Sequence, residues 1–261
     1  MKKRLILTAL FVQSLCVFAQ KQNLSIVDCH YSLTFKKDTV DNIIAEDVMI
    51  LRANRTKSIF FSQDTHYFDS LNMSESGKSF VNLLIRLRGK FEKIETYNVI
   101  KDQASKTMTF ADDIGDKHIV YQEPFPQFNW KISNETKKVR DHLCQKATCK
   151  FRGRSYIAWF TTEIPLKDGP WKFNGLPGLI LEVYDTKNQY HFKFMGMHRN
   201  KADISLLPYD YEKTTRAEYL KNFKEHLENP AGNTRKKLRK TSKSKTDMKA
   251  KDNRRNPMEL Y

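Results

Sequence analysis

Hydrophobic and polar residues alternate along most of the chain, a pattern typical of β-strands that bury one face. The first run covers residues 31–35, and two runs at 48–51 and 58–61 flank Asn54, which favours the turn of a hairpin. Further runs follow at 91–100, 106–110, 118–122, 128–132, 143–151, 154–162, 179–184 and 190–197. Turn formers such as Asn134-Glu135 separate them, so consecutive strands are expected to pair.

Two stretches have helical spacing instead. Ser79 precedes apolar residues at positions i, i+3, i+4 and i+7, a run that Gly89 closes, and this predicts a short amphipathic helix. Thr215 and Glu218 have the spacing of a capping box, and an apolar stripe then continues to about Pro230. Residues 64–71 show no decisive pattern.

These elements predict a mainly β protein, with an antiparallel, strongly curved sheet and one or two short helices, one of them near the C-terminus. Short connections argue against parallel crossover units. The pattern leaves a half-barrel, a barrel and a sandwich open. With 261 residues, 39% of them hydrophobic, the chain can bury one core, which we assign to a single domain over residues 20–230.

Residues 1–19 have the form of a signal peptide. Lys2, Lys3 and Arg4 precede an apolar run, and Ala19 is the small residue before the expected cleavage. The run is too short to span a membrane, and a lipid anchor at Cys16 is disfavoured because the preceding Leu15 is not small. We therefore expect export to the periplasm, association with the outer membrane, or secretion.

The formal net charge of +16 is concentrated at the two ends of the chain. Residues 232–257 hold eleven Lys and Arg against two Asp and almost no large apolar residues, so residues 231–261 are predicted to be a basic, disordered tail. Such a tail contacts anionic surfaces by charge alone. It lacks interleaved aromatic residues, so specific nucleic-acid binding is not expected.

Export would allow disulfides, and cleavage would leave three cysteines, Cys29, Cys144 and Cys149. Cys144 and Cys149 are five positions apart and point to opposite faces of a regular strand. Cys29 bonded to one of them is therefore the preferred disulfide. A zinc or copper site at His142, Cys144 and Cys149 is the alternative. In a regular strand Cys149 would face away from the other two residues, so no cofactor is predicted.

A hexapeptide, Gly175-Leu176-Pro177-Gly178-Leu179-Ile180, leads into a predicted strand. Pro177 fixes φ for the second position of a β-turn, and Gly178 would supply the positive φ that a type II turn needs at the third. Gly175, Pro177 and Gly178 are therefore predicted to form a structural turn that places Leu176 and Leu179 in the core. In the alternative interpretation, the glycines let a ligand approach the backbone beside Trp171.

This hexapeptide resembles the signature of the GLPGLI family of exported proteins from the Bacteroidetes. Flanking segments follow in the same order and spacing: Cys144-Gln145-Lys146-Ala147, Arg152-Gly153-Arg154, Ala158-Trp159-Phe160-Thr161, Ile164-Pro165 and Gly169-Pro170-Trp171. The resemblance is strongest over about residues 90–200. It implies an exported β-rich protein and no established activity.

One candidate ligand site follows from strand alternation. Arg154 and Tyr156 share a face, and Glu182 on the neighbouring predicted strand could form a charge-assisted pair with Arg154. A salt bridge at the rim is the simpler interpretation of that pair. With Trp159 and Trp171, these residues make up the predicted ligand-binding set.

Catalytic motifs do not occur in the sequence. There is no nucleophile elbow, His-Glu-x-x-His helix or phosphate loop, and Asp112, Asp113 and Asp168 fall in predicted turns, where Asp is ordinary. We therefore predict a non-enzymatic binding or accessory module of the cell envelope with a sheet-lined cavity, whose partner is an outer-membrane or other envelope protein. A metal or redox protein and a structural envelope component are the alternatives.

Overall fold

The computed structural model of the protein describes residues 25–37, 42–88, 95–228 and 257–259. Twelve strands lie in these ranges: β1 (Val27–Lys36), β2 (Ile44–Ala53), β3 (Lys57–Ser62), β4 (Asn98–Asp102), β5 (Thr107–Ile114), β6 (Lys117–Pro124), β7 (Lys131–Val139), β8 (His142–Phe151), β9 (Arg154–Thr161), β10 (Leu179–Asp185), β11 (Tyr190–His198) and β12 (Tyr211–Lys213). The same ranges contain helices α1 (Gln63–Asn72), α2 (Glu75–Arg88) and α3 (Arg216–Glu228). None of these helices is long and apolar enough to cross a membrane.

All twelve strands belong to one sheet, in the order β12-β6-β5-β4-β3-β2-β1-β11-β10-β9-β8-β7. Neighbouring strands are antiparallel except β12, which runs parallel to β6. The predicted mainly β, antiparallel class is confirmed, and α3 is the expected helix near the C-terminus. The sheet is neither closed nor strongly curled. The predicted strong curvature and the barrel form are therefore wrong. Closure would require β12 to pair with β7, and β12 has only three residues.

One face of the sheet carries most of the hydrophobic core. On β1, Tyr31 and Leu33 are fully buried on this face, and Leu33 lies opposite Phe192 of β11. Helix α3 covers part of the same face through Tyr219, whose ring centroid lies 5.3 Å from that of Phe110. The alternation in the sequence therefore corresponds to the buried and exposed faces of these strands.

The structure differs from the sequence prediction in helix α1 and in strand β7. Residues 64–71 lie in α1, where the Ser62 hydroxyl accepts a hydrogen bond from the Thr65 amide at 3.3 Å and caps the first turn. The segment Asn134-Glu135, predicted as a turn, lies inside β7, whose register shifts between Ile132 and Thr136. A local irregularity lets turn-forming residues stay in a strand.

Capping is confirmed at α3. The Glu218 amide donates to the Thr215 hydroxyl at 3.2 Å, and the Thr215 amide donates to the Glu218 carboxylate at 3.3 Å. This is the reciprocal pair of a capping box. The signal peptide over residues 1–19, the tail over 231–256 and the first part of the strand expected at 91–100 lie outside the described residues.

Candidate functional site

The loop between β9 and β10 lies across the buried face of the sheet. Asp168 and Asn174 form an isolated antiparallel bridge, and the residues between them include Trp171, Lys172 and Phe173, which are 2%, 0% and 0% exposed. Trp171 has a φ of 49°, which is rare for a residue with a side chain. The loop is therefore a buried part of the core that carries a cation inward.

Lys101 of β4 anchors one end of this loop. Its ammonium group forms an ion pair with Asp168 and donates to the Gly169 carbonyl at 2.6 Å. Ser58 of β3 donates to the same Asp168 carboxylate at 2.6 Å. Both charges lie in the interior, so each compensates for the desolvation of the other.

Lys172 occupies the centre of a second buried cluster. Its ammonium group donates to Glu123 at 2.7 Å, to Glu259 at 2.6 Å and to the Tyr121 hydroxyl at 2.8 Å. Burial lowers the pKa of Lys172, and the charges of Glu259 and Glu123 oppose this shift. Arg152 pairs with both carboxylates at 2.5 Å, so the cluster ties the loop to β6 and to the C-terminal residues.

Residues 257–259 dock beside this cluster. Arg154 donates to the Pro257 carbonyl at 2.7 Å and to the Met258 carbonyl at 3.1 Å, and the Tyr156 hydroxyl also donates to Met258 at 3.3 Å. The Glu259 carboxylate also pairs with Arg216 of α3 at 2.7 Å. These three residues of the predicted tail are held against the sheet, because buried side-chain donors bind their backbone.

A cavity of about 100 Å³ lies between this loop, the sheet and α3. Eight aromatic side chains line it: Phe35, Tyr97, Phe110, Tyr121, Trp171 and Tyr190, with Tyr219 and Phe223 from α3. Pro257, Met258 and Glu259 also contribute to its lining. The docked C-terminal residues thus form part of the wall of an aromatic cavity.

Besides the aromatic rings, the lining includes five polar side chains: Lys37, Glu95, Thr96, Asp112 and Glu259. The Asp112 carboxylate accepts hydrogen bonds from Thr96 at 2.5 Å and from Tyr219 at 2.6 Å. Burial raises the pKa of Asp112. The Tyr97 hydroxyl is buried and has no hydrogen-bond partner in the described part of the chain. A mostly apolar pocket with a few polar groups is the usual form of a small-molecule site.

The structure separates the predicted ligand-binding residues. Trp171 lines the cavity, whereas Arg154 and Tyr156 hold the C-terminal residues. Trp159 and Glu182 are paired on neighbouring strands, and alternation along β9 places Trp159 on the face opposite Tyr156. The five residues therefore do not come together in one pocket.

The expected pair of Arg154 with Glu182 is not formed. The Arg154 guanidinium lies 3.4 Å from Asp185, and Glu182 instead binds His191 at 2.8 Å and Lys137. The register between β9 and β10 shifts after Ile180, and a shift of one residue moves the following side chains to the other face.

The two glycines of the hexapeptide have roles that differ from the predicted ones. Gly178 does not have a positive φ; a Cβ there would lie 1.9 Å from the Thr161 carbonyl oxygen. Gly175 has the positive φ, at 89°. Leu176 and Leu179 are 1% and 0% exposed, so both are in the core as predicted.

Cys29, Cys144 and Cys149 are buried free thiols. The preferred disulfide is therefore absent, because three strands lie between β1 and β8 in the sheet, a separation far beyond disulfide reach. The Nδ1 atom of His142 donates to the Glu163 carboxylate at 2.7 Å, and the imidazole does not meet the two thiols. Across the described ranges, no three His, Cys, Asp or Glu side chains are placed to hold a metal ion, so the predicted alternative site is not formed.

The sequence interpretation missed Tyr97, Asp112, Lys172 and Glu259. Asp112 was placed in a turn, yet it alternates with Met108 and Phe110 on the buried face of β5. This period of two was the signal that could have identified it. Glu259 carried no local signal, because its partners lie more than forty positions away in the chain.

Comparison with known proteins adds a family match over a short stretch. The family is described as a protein of unknown function (Porph_ging), and it matches residues 152–182, which run from the β8–β9 turn into β10. This stretch includes the loop that carries Trp171 and Lys172. No curated protein matches the sequence.

Two solved structures of PNGF-II, in space groups P21 and C2, have a similar fold, with TM-scores of 0.56 and 0.54. Each is 12% identical in sequence, and the similarity covers 77% of this chain and 33% of the PNGF-II chain. This chain thus spans about a third of the length of the protein it resembles. At this identity the likeness shows the fold alone.

Proposed function

We propose that this chain is an exported envelope protein of the GLPGLI type that binds a small ligand in its aromatic cavity. The signal-like residues 1–19 and the hexapeptide Gly175–Ile180 support export and family. The envelope location suits a partner in or near the outer membrane, and the basic residues before Pro257 suit contact with an anionic surface.

The observation that carries the binding proposal is the cavity itself. Eight aromatic rings surround a volume of about 100 Å³, and the Tyr97 hydroxyl beside it has no partner among the described residues. A buried hydroxyl without a partner loses free energy, which a ligand's polar group would restore. Such a volume is comparable with an engineered cavity of about 150 Å³ that binds benzene.

The proposal is tested by native mass spectrometry of protein purified from envelope extracts. We expect a bound small molecule on the native chain. Leu220→Trp places a large ring in the cavity, because Leu220 of α3 lines it, and should abolish the bound mass. Leu143→Trp is the matched control, since Leu143 is 55% exposed on β8 and should retain the ligand.

Thermal unfolding of both variants verifies that each is folded. Absence of any bound mass on the native chain, or retention of it by a folded Leu220→Trp variant, would overturn the proposal.

A further inference from the structure

Asp112 is a buried carboxylate at the wall of the cavity, 7% exposed. Its oxygens accept from the Thr96 and Tyr219 hydroxyls and from the Asp113 amide at 2.9 Å. No Lys, Arg or His within residues 25–37, 42–88, 95–228 or 257–259 forms an ion pair with it. Burial raises the pKa of Asp112 because the charged carboxylate is costly there without a counter-ion, and a cation bound beside it would offset that cost.

Acidic side chains also lie near Tyr97. Burial raises the pKa of Tyr97, and the charges of Glu95 and Asp112 raise it further. Acidic side chains therefore lie close enough to Tyr97 to influence its hydroxyl. That hydroxyl has both a donor and an acceptor function to offer a ligand.

The aromatic walls already bind one ammonium group. The Lys172 nitrogen lies 4.7 Å from the centroid of Phe110, 5.2 Å from that of Tyr121 and 5.6 Å from that of Trp171. All three rings line the cavity. Glu123 and Glu259 pair with Lys172, and the same two carboxylates also pair with Arg152 and, at Glu259, with Arg216.

We propose that the cavity binds an organic cation of the alkylammonium class, with Asp112 as its counter-ion and the aromatic rings as its cage. This inference deepens the proposed function and rests on it, because it names the ligand class for the same cavity. A quaternary ammonium group attracts ring faces by the cation–π interaction and needs no hydrogen-bond partner. A hydroxyl on its alkyl chain would pair with Tyr97.

Choline and its isostere 3,3-dimethyl-1-butanol have the same shape, but only choline is charged. Comparing their affinities therefore isolates the effect of the positive charge. Isothermal titration calorimetry on the purified full chain should show choline binding at least tenfold more tightly than the isostere. Asp112→Asn should weaken choline binding at least tenfold and abolish the preference over the isostere. Tyr97→Phe should weaken choline binding severalfold, and it keeps the ring.

Glu135→Gln is the matched control, because it removes a 61% exposed carboxylate of β7 that pairs with Lys146. It should bind choline as the native chain does. Circular dichroism and thermal unfolding establish that each variant is folded, and Tyr97→Phe provides the test if Asp112→Asn does not fold.

Equal or tighter binding of the neutral isostere would overturn the cation class and leave the cavity as a ligand site. Failure of choline to bind would overturn it as well. The co-purification experiment with Leu220→Trp does not depend on the charge of the ligand, so it decides the proposed function separately.

Discussion

The ammonium group of Lys101 and the carboxylate of Asp168 are paired in the interior, where their side chains are 0% and 3% exposed. The pair joins β4 to the loop that leads into β10. Burial lowers the pKa of Lys101, and the charge of Asp168 opposes that shift. The loop is thus held at Asp168 by a charge that has no access to water.

Lys101→Met should lower the free energy of unfolding by about 3–5 kcal/mol, because it leaves Asp168 buried without its counter-ion. Urea denaturation measures this change. Lys78→Met is the control, since the pair of Lys78 with Glu75 is 51% and 91% exposed and its loss should cost less than about 1 kcal/mol. Similar effects for the two variants would contradict the buried pairing.

Gly178→Ala should destabilise the protein by about 3 kcal/mol, because the new Cβ would meet the Thr161 carbonyl oxygen at 1.9 Å and force β9 and β10 apart. Gly196→Ala on β11 is the matched control, since its Cβ would have no atom within 4 Å. Thermal unfolding compares the two. An unchanged melting temperature for Gly178→Ala would refute the close approach.

Glu182 should make stability depend on acid pH. Burial alone would raise the pKa of its carboxyl, but hydrogen bonds from His191 and Lys137 outweigh it and lower the pKa from 4.5 to about 2. Its contribution is therefore complete above pH 4.5 and is lost as the pH falls toward 2. The contribution of Glu182 to the free energy of unfolding is about 2 kcal/mol at neutral pH, after allowance for screening at its partly exposed partners.

Glu182→Gln should remove this part of the pH dependence, measured as the difference in unfolding free energy between neutral pH and pH 3. Glu75→Gln, at a carboxylate that is 91% exposed, serves as the control. A native chain and a Glu182→Gln variant with the same acid profile would rule out the assigned pairing.

The three buried thiols should be unreactive in the folded protein. Burial raises the pKa of Cys29 and Cys149 to about 12 and that of Cys144 to about 11, so the reactive thiolate is scarce at neutral pH. A chromogenic disulfide reagent should detect none of them in the native state and all three after unfolding without reductant. Ser76→Cys, at an exposed position of α2, should react at once. A count below three in the unfolded chain would indicate a disulfide.

Strand positions followed from the sequence because alternating burial is a local property. The runs at 31–35, 58–61 and 190–197 lie within β1, β3 and β11. In contrast, the continuous apolar run Leu179-Ile180-Leu181 conceals where the register shifts, because every side chain in it is buried. The face of Glu182, and with it the predicted site, depended on that shift.

Long-range contacts also set limits on prediction from sequence. Trp171 was predicted in the ligand-binding set and lines the cavity, whereas Asp112 was excluded from function because two adjacent Asp residues look like a turn. Glu259 reaches Lys172 across 87 positions, which no local pattern encodes. The cavity therefore emerges from tertiary packing of elements whose separate sequences predict only strands and one helix.

The two end strands of the open sheet have features that oppose aggregation. Strand β7 offers its outer backbone groups along nine residues, four of which are charged: Lys131, Glu135, Lys137 and Lys138. Strand β12 offers only three residues. Charged side chains and short length both oppose edge-to-edge pairing between copies, so this sheet is protected at both ends against growth into aggregates.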